Sequence, residues 1–223
     1  MSEYSLNGYR VIDLSLHVDP ASTTRLCEID RFFQESTKDY HSKVHVASHL
    51  GTHIESPFHY NSSWKDVIDL PVTAFIGRGV KLELECDPVA PITREMLDHA
   101  DKGIVQPGDC VVLASPYHSV PFADDPNDQR PYLVKESGEW FAEKKVKSIG
   151  FGDGVAIEHS VKDACDVHEM VMPHDIMFLE VMQNIDLINE KVFFISYTPM
   201  PIKGLDSCCV RAYAIEGLPG FDK

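Results

Sequence analysis

Histidine is the residue type that points to chemistry in this sequence. Five of its eleven histidines lie close together, at His41, His45, His49, His53 and His59. The segment 48–59, SHLGTHIESPFH, combines three of them with the carboxylate of Glu55. Imidazole nitrogen and carboxylate oxygen are the ligands that a divalent cation such as zinc prefers, with three protein ligands and one open position when the site is catalytic. At this density the segment predicts a metal site in preference to a loop of hydrogen-bonded histidines.

The spacing of these histidines does not indicate a helix, although four of them recur every fourth residue. Val44 and Val46 alternate with Lys43 and His45, which is the pattern of a strand. Gly51 and a proline at 57 then interrupt any regular element. We therefore expect a strand followed by an irregular segment in which the backbone curls and the side chains converge.

A second group of possible ligands lies further along the chain. Its members are histidines and glutamates, namely Glu158, His159, His168, Glu169, His174 and Glu180. Their chemistry alone does not choose among them. For Glu158 and Glu169 a solvated position is the better interpretation, because acidic side chains are mostly exposed.

Other catalytic chemistries lack their signatures here. The sequence has no G-x-S-x-G nucleophile elbow, no papain-like or caspase-like cysteine context and no glycine-rich nucleotide loop. Its six cysteines form no C-x-x-C pair, and we interpret them as reduced thiols of a cytoplasmic protein.

The segment HLGTHIESPFH resembles the H-x-G-T-H-x-D-x-P-x-H signature of the metal-dependent cyclase family, which includes bacterial kynurenine formamidases and isatin hydrolases. The resemblance continues in VIDLS at 11–15, PGDCVVL at 107–113, a strand ending in Asp153, and PIKGLDSCCVRAYAI at 201–215. His168 and Glu180 also match the spacing of the downstream metal ligands of that family. The similarity spans nearly the whole chain.

The resemblance implies a site for one or two divalent ions, with zinc as the expected metal and manganese as the alternative. His49 and His53 would bind the first ion and His168 the second, with Glu55 and Glu180 between them. His59 would donate and accept protons without binding metal. His41, His45, His159 and His174 fall outside the matched positions.

One departure from the family pattern concerns Glu55, because the family usually has Asp at this position. The additional methylene moves the carboxylate by about one C–C bond, whereas metal–ligand distances tolerate only about 0.2 Å. The backbone could compensate, Glu55 could bind a single ion, or the second ion could be weak. The departure bears on the number of ions and not on metal binding itself.

The implied activity is hydrolysis of the C–N bond of a small amide, either a formamide or a cyclic amide, by metal-activated water with His59 as general acid and base. The alternatives are a lactone hydrolase or dehydratase on the same site, or a member that binds metal and ligand without turnover.

Kynurenine formamidases carry a Trp-Pro-Gly-Asp type segment where this chain has Pro20 to Arg25, which argues against N-formylkynurenine as the substrate. Arg25 could pair with a substrate carboxylate, and Phe58 and Tyr60 could line an aromatic pocket; solvation and ordinary packing are the simpler interpretations.

The elements that must position these residues form a mixed α/β pattern with more strand than helix. Strands are predicted at 10–16, 43–48, 74–84, 110–114, 148–152, 177–181, 192–198 and 210–215. Helices are predicted at 93–98, 135–145 and 164–172, and residues 17–40 are expected to form a long loop with a helical turn. We expect one domain over 1–223, with the swivelling β/β/α-like architecture that the resemblance implies.

Charge and hydropathy restrict the partners. The formal net charge is −15, which opposes binding to nucleic-acid phosphates or anionic lipid. No apolar run approaches the ~18–20 residues of a membrane helix, and the first residues do not resemble a secretory signal. We therefore expect a small-molecule substrate, no nucleic acid and no membrane. The resemblance implies a homodimer or homotetramer, and the four prolines of 115–131 suggest a mobile lid.

Overall fold

Twelve strands and three helices make up the regular structure of the described residues. The structure, a computed structural model, describes residues 2–119 and 126–221. The strands are β1 (Glu3–Leu6), β2 (Tyr9–Asp13), β3 (Cys27–Gln34), β4 (Asp39–Val46), β5 (His53–Glu55), β6 (Ile76–Glu83), β7 (Cys110–Ala114), β8 (Ser148–Gly152), β9 (Met177–Met182), β10 (Val192–Ser196), β11 (Ser207–Cys209) and β12 (Tyr213–Glu216). The helices are α1 (Arg94–Asp101), α2 (Lys135–Lys144) and α3 (Val161–Val171), with short 3-10 turns at Pro57–His59, Val72–Phe75, Met172–His174 and Ile185–Leu187.

Ten of the strands form one sheet in the order β1-β2-β12-β10-β6-β7-β8-β9-β5-β11. The four neighbours β6, β7, β8 and β9 are parallel, and the other neighbouring pairs are antiparallel. A bridge between Ser15 and Met182 joins the chain after β2 to the end of β9, so the sheet curls back on itself. Strands β3 and β4 pair only with each other, as a separate hairpin. The predicted class, mixed α/β and rich in strand, is confirmed.

Each face of the sheet buries its own apolar cluster. Along β7, Val111 and Leu113 face the helices, whereas Cys110 and Val112 face the inside of the curl. Helix α2 contributes Trp140 to the helix-side cluster, at 1% exposure. Burial of such a side chain stabilises the fold by roughly 1.5–3 kcal/mol. The alternation matters for the site, because it decides which strand residues point toward α3.

Several predicted elements were wrong or incomplete. Residues 17–40 are not only a loop, because β3 occupies Cys27–Gln34 and β4 begins at Asp39. The charged residues of β3 conceal its alternation, and the strand is stabilised by pairing with β4 and not by core burial. The three-residue strands β5 and β11 were missed since so short a segment has no readable period. The strands predicted at 110–114 and 148–152 match the structure.

The segment 115–131, predicted to be a mobile lid, lies partly outside the described residues, at 120–125. Both of its described ends are hydrogen-bonded to the backbone at the end of β8. The Ser115 hydroxyl donates to the carbonyl of Gly154 at 2.5 Å, and Arg130 donates to the carbonyl of Gly152 at 2.6 Å. Its mobility stays a prediction. In the part of the chain that the structure describes, no helix has the length and apolar content needed to cross a membrane.

Candidate metal centre

Two neighbouring strands place three of the predicted ligands on one face of the sheet. In β5, His53 and Glu55 point to the helix side while Ile54 points into the inner core. In β9, Phe178 faces the helix-side cluster and Leu179 the inner one, so Glu180 faces the helix side as well. The register sets His53 directly opposite Glu180. Strand pairing therefore brings together ligands that are far apart in sequence.

His53 is fully buried and held by its backbone neighbours. Its Nδ1 donates to the carbonyl of Gly51 at 2.8 Å. The opposite ring atom, Nε2, is consequently the atom directed at the carboxylates, 3.5 Å from Glu180 Oε2 and 3.7 Å from Glu55 Oε1. Gly51 has φ of +59°, and a Cβ there would lie 2.6 Å from Val18 Cγ2, so this turn requires glycine. The glycine between the histidines thus has a geometric role.

Glu55 is the centre of the cluster. Its Oε1 lies 2.9 Å from His49 Nε2, and its Oε2 lies 3.3 Å from His168 Nε2. Burial alone would raise the pKa of this carboxyl, but the contacts with His168 and His49 and the nearby His53 imidazole outweigh burial and hold its pKa well below the usual value. Glu55 is therefore an ionised carboxylate inside the protein, with a different histidine at each oxygen.

Glu180 is buried without the same compensation. Among the described residues, its Oε1 has no hydrogen-bond partner. Burial raises its pKa well above the usual value, and the negative charges of Glu55 and Glu158 raise it further, against a lowering by Arg25. A buried carboxylate of this kind is costly unless a cation neutralises it. This orphaned oxygen is the feature of the structure that best fits a bound divalent metal.

The backbone beside Glu180 is strained. Val181 has φ of +60°, which is a rare conformation for a β-branched residue and costs of order 1–3 kcal/mol. The β8–β9 register shifts between Gly150 and Gly152, and a Cβ on Gly152 would lie 2.0 Å from the carbonyl oxygen of Met182. The irregularity follows Glu180 directly, as is common next to functional sites.

His168 enters the cluster from α3. Its Nδ1 donates to the carbonyl of Ala164, one turn earlier, at 2.7 Å, which directs Nε2 at Glu55. Its ring packs against Phe178 and Tyr60, with centroids 4.9 and 5.8 Å away. Burial lowers the pKa of His168, but the Glu55 carboxylate and the Ala164 carbonyl outweigh burial and raise it.

His49 and His59 close the cluster on its more open side. The Nε2 atom of His49 lies 3.2 Å from Nδ1 of His59. His59 ends the 3-10 turn Pro57–His59, and its Nε2 is 3.8 Å from Glu55 Oε1. About a third of the His59 side chain is exposed. It therefore faces both the cluster and solvent.

Asp206 belongs to the cluster and was missed in the sequence. Its Oδ2 lies 3.3 Å from His59 Nδ1 and 3.8 Å from His49 Nε2. Burial raises its pKa, but the hydrogen bond from His59 and the nearby His49 outweigh burial and leave the pKa lowered. The only signal in the sequence was its place in the segment 201–215, which resembles the family. No histidine or glutamate lies near Asp206 in the sequence at a spacing that would indicate a shared site.

The structure brings together all six residues predicted for the site. Five of them form two overlapping groups that could each hold an ion, one of His49, Glu55 and His59 and the other of His53, Glu55 and Glu180. The geometry thus also permits His59 to ligate. His168 belongs to neither group and contacts the cluster through Glu55 Oε2, at 3.3 Å. The four histidines that fall outside the matched positions lie elsewhere: His41 and His45 on the hairpin, His159 stacked on Tyr132 at 5.0 Å, and His174 in a 3-10 turn.

A cavity of about 540 Å³ adjoins the cluster at Glu180. Phe151, Ile157 and Val155 give it apolar walls, and Glu158 and Arg130 add charge. The Arg130 guanidinium is already paired with Asp128, at 2.7 Å. The volume is that of a small-molecule site.

Residues 12–159, about two thirds of the chain, match the family model described as a putative cyclase. A kynurenine formamidase of Bordetella petrii is 27% identical over 177 residues, which is 78% of this chain and 80% of the relative. Another, of Bacillus cereus, is 24% identical over 194 residues, covering 86% of this chain and 88% of the relative.

Solved structures share the fold. Isatin hydrolase A from Labrenzia aggregata, bound to benzyl benzoate, superposes with a TM-score of 0.76 at 18% identity over 93% of both chains. A potential metal-dependent hydrolase with cyclase activity gives a TM-score of 0.70 at 18% identity, over 93% of this chain and 98% of the other. At this identity the likeness concerns architecture alone.

Proposed function

Because this chain belongs to the putative cyclase family, we propose that it is a metal-dependent hydrolase that cleaves the C–N bond of a small amide, a formamide or a cyclic amide. The relatives named as kynurenine formamidases and the structural neighbours named as isatin hydrolases support an amide as substrate. The observation that carries the proposal is the buried pair Glu55 and Glu180 beside the imidazoles of the cluster, with Glu180 in the wall of a cavity.

The proposed ligands are His49, His53, Glu55, His168 and Glu180. We propose two divalent ions, zinc or manganese, because the two Glu55 oxygens face different histidines: Oε1 faces His49 and Oε2 faces His168. The hydrogen bonds of His53 and His168 to backbone carbonyls present Nε2 of both rings to the centre. Such ions, when bound, lower the pKa of water to about 7 and polarise a carbonyl.

His59 is the proposed general acid and base. Its Nε2 lies 3.8 Å from Glu55 Oε1, at the edge of the cluster. From there it takes a proton from the attacking water and returns it to the leaving nitrogen, a role typically worth 10²–10⁴-fold. Water adds to the carbonyl carbon and the C–N bond breaks, which gives an amine and a carboxylic acid, or one molecule that carries both groups when the amide is cyclic. The acid then releases the second proton of water and becomes a carboxylate. No covalent enzyme intermediate is required.

The test is turnover by the metal-loaded, tag-free protein on a panel of an N-formyl arylamine, isatin and a lactone. We expect hydrolysis of an amide, loss of at least about 10²-fold in His59→Ala with metal content retained, and wild-type activity in the matched control His45→Ala. If only the lactone reacts, the amide assignment is wrong. If His59→Ala loses its metal, His59 is a ligand and the acid–base role is wrong.

We propose that residues 1–223 form one hydrolase domain. We also propose that the protein is cytoplasmic, and its six free cysteines support this location.

We also propose self-association as a homodimer or homotetramer. The hairpin β3–β4 supports it, because one face presents Ile29, Phe33, Tyr40 and Val44, each more than 40% exposed. An isolated two-stranded sheet is only marginally stable in water. A second copy of the chain would cover this face.

A further inference from the structure

We propose that Asp206 is a positioning residue that fixes the orientation and tautomer of His59. It would accept a hydrogen bond from Nδ1, leaving Nε2 without a proton and facing the metal centre. The catalytic consequence rests on the proposed function, whereas the orientation itself can be measured without turnover.

The contacts of the His59 ring divide between its two nitrogens. Nδ1 lies 3.3 Å from Asp206 Oδ2, and Nε2 lies 3.8 Å from Glu55 Oε1. A carboxylate oxygen only accepts hydrogen bonds, so the proton at this contact belongs to Nδ1. A neutral imidazole then carries its lone pair on Nε2, which is the state that a general base needs.

Backbone hydrogen bonds through Ser56 fix the positions of Asp206 and His59 relative to each other. The carbonyl of Asp206 accepts hydrogen bonds from Ser56 N at 2.8 Å and from Ser56 Oγ at 2.9 Å. Ser56 precedes the 3-10 turn that ends in His59, and its carbonyl accepts from His59 N at 2.9 Å. The next residue, Ser207, pairs with Glu55 in the β11–β5 ladder. The strand pair that places Glu55 therefore also places the Asp206 carboxylate.

A competing neighbour of Nδ1 is Nε2 of His49, at 3.2 Å. That atom also lies 2.9 Å from Glu55 Oε1, and His49 Nδ1 lies 3.0 Å from Ser48 Oγ. A metal ion on His49 would occupy the Nε2 lone pair, so His49 could no longer accept from His59. Of the two neighbours, Asp206 then remains as the acceptor.

The first test is long-range ¹H–¹⁵N NMR of zinc-loaded protein with labelled histidine, with the His59 signals assigned by His59→Gln. We expect the Nδ1–H tautomer in the wild type, and a shift toward Nε2–H or a mixture in Asp206→Ala. Asp206→Asn, whose amide oxygen can still accept, should retain part of the wild-type pattern and is available if the alanine variant does not fold. The matched control is Asp69→Asn, an exposed aspartate away from the centre.

Kinetics provides the second readout. We expect kcat of Asp206→Ala to fall by about 10²-fold with KM within about threefold and metal content unchanged. An unchanged His59 tautomer in Asp206→Ala would overturn the proposal, and so would loss of a bound ion, which would make Asp206 part of the metal site. If the wild type hydrolyses no amide while the tautomer still depends on Asp206, the positioning role stands and the proposed function fails.

Discussion

Glu180 lies directly opposite His53 in the antiparallel pair of β9 and β5, and their side chains meet with 3.5 Å between Oε2 and Nε2. The contact joins the third-last residue of one strand to the first residue of another that is distant in sequence. It exists only when the sheet has formed. Metal binding at these residues would therefore be linked to folding, because the unfolded chain offers no comparable site.

The first prediction is that removal of metal lowers the melting temperature. At a free metal concentration a hundred times the Kd, binding stabilises the native state by about 2.7 kcal/mol, and each kcal/mol corresponds to about 2–4 °C in a chain of this size. Calorimetry with and without a chelator should show a decrease of about 5–10 °C. His53→Ala should melt at the lower temperature under both conditions, and His45→Ala should respond like the wild type.

The second prediction concerns the number of ions and Glu55. Elemental analysis of tag-free protein should find about two zinc or manganese ions per chain, because each Glu55 oxygen faces a different histidine. Glu55→Asp retracts the carboxylate by about one C–C bond, more than the ~0.2 Å that coordination tolerates, and should retain about one ion. The exposed Glu190→Asp serves as control. One ion in the wild type would contradict the proposal that Glu55 serves two ions.

The third prediction is that Glu180→Gln weakens metal binding but raises the melting temperature of the metal-free protein. The metal-free wild type carries a buried carboxyl whose pKa is raised first by burial and then by the charge of Glu55. Glutamine is neutral at every pH, so the folded variant neither buries a charge nor takes up a proton, and the metal-free variant should melt above the metal-free wild type at pH 7. It should also bind zinc more weakly, as titration calorimetry would show. A metal-free variant that melts lower would mean that the Glu180 carboxylate is stabilising without a cation.

The sequence was most informative where its patterns are local. The short apolar runs at 110–114 and 148–152 located β7 and β8 correctly, since strands buried on both faces lack a polar alternation. The density of histidines at 48–59 pointed to a metal, and the family resemblance named the partners from α3 and β9. The family is shown by the match to residues 12–159, whereas the role of each ligand stays a proposal.

What the sequence lacked was pairing information. The position of Asp206 beside His59 depends on a three-residue strand, β11, that has no period to read and forms only by pairing with β5. The alternation of Val44 and Val46 predicted part of β4, but β3 and the start of β4 were missed. Much of β3 is exposed and charged, so its hydrophobicity does not indicate a strand.

The fourth prediction concerns pH and an ion pair distant from the metal centre, between Asp13 and Arg211. Burial raises the pKa of Asp13, but the hydrogen bonds from Arg211 and Ser15 outweigh burial and leave it below the usual value. A carboxyl with a lowered folded pKa stabilises the protein fully above its unfolded pKa of about 3.9, and this stabilisation is lost as the pH falls toward the folded value.

Asp13→Asn should therefore lower the melting temperature of metal-free protein by a constant amount between about pH 5.5 and 7, and by less below about pH 4. The exposed Asp39→Asn should show no such dependence. Thermal melts across this range check the sign. A deficit that grows as the pH falls would contradict a lowered pKa for Asp13.

The fifth prediction tests the exposed face of the hairpin. Strand alternation places Ile29, Phe33, Tyr40 and Val44 on one face, and Val44 is 62% exposed although it is apolar. The opposite face carries Lys43, which neighbours Val44 in β4. Val44→Glu would bury a charge if a second copy covers the apolar face, at a cost that an interface of modest size does not tolerate. Lys43→Glu is the control, because it changes the net charge by more than Val44→Glu does but places the new carboxylate on the opposite face of the hairpin.

Light scattering coupled to size exclusion should accordingly find the wild type and Lys43→Glu as the same dimer or tetramer, and Val44→Glu as a smaller species. The folded content of Val44→Glu, followed by circular dichroism, should remain close to that of the wild type, because this face contributes nothing to the core of its own chain. If all three proteins elute as the same oligomer, the chain associates through another surface. A monomeric wild type at micromolar concentration would show that the hairpin is stable without a covering partner.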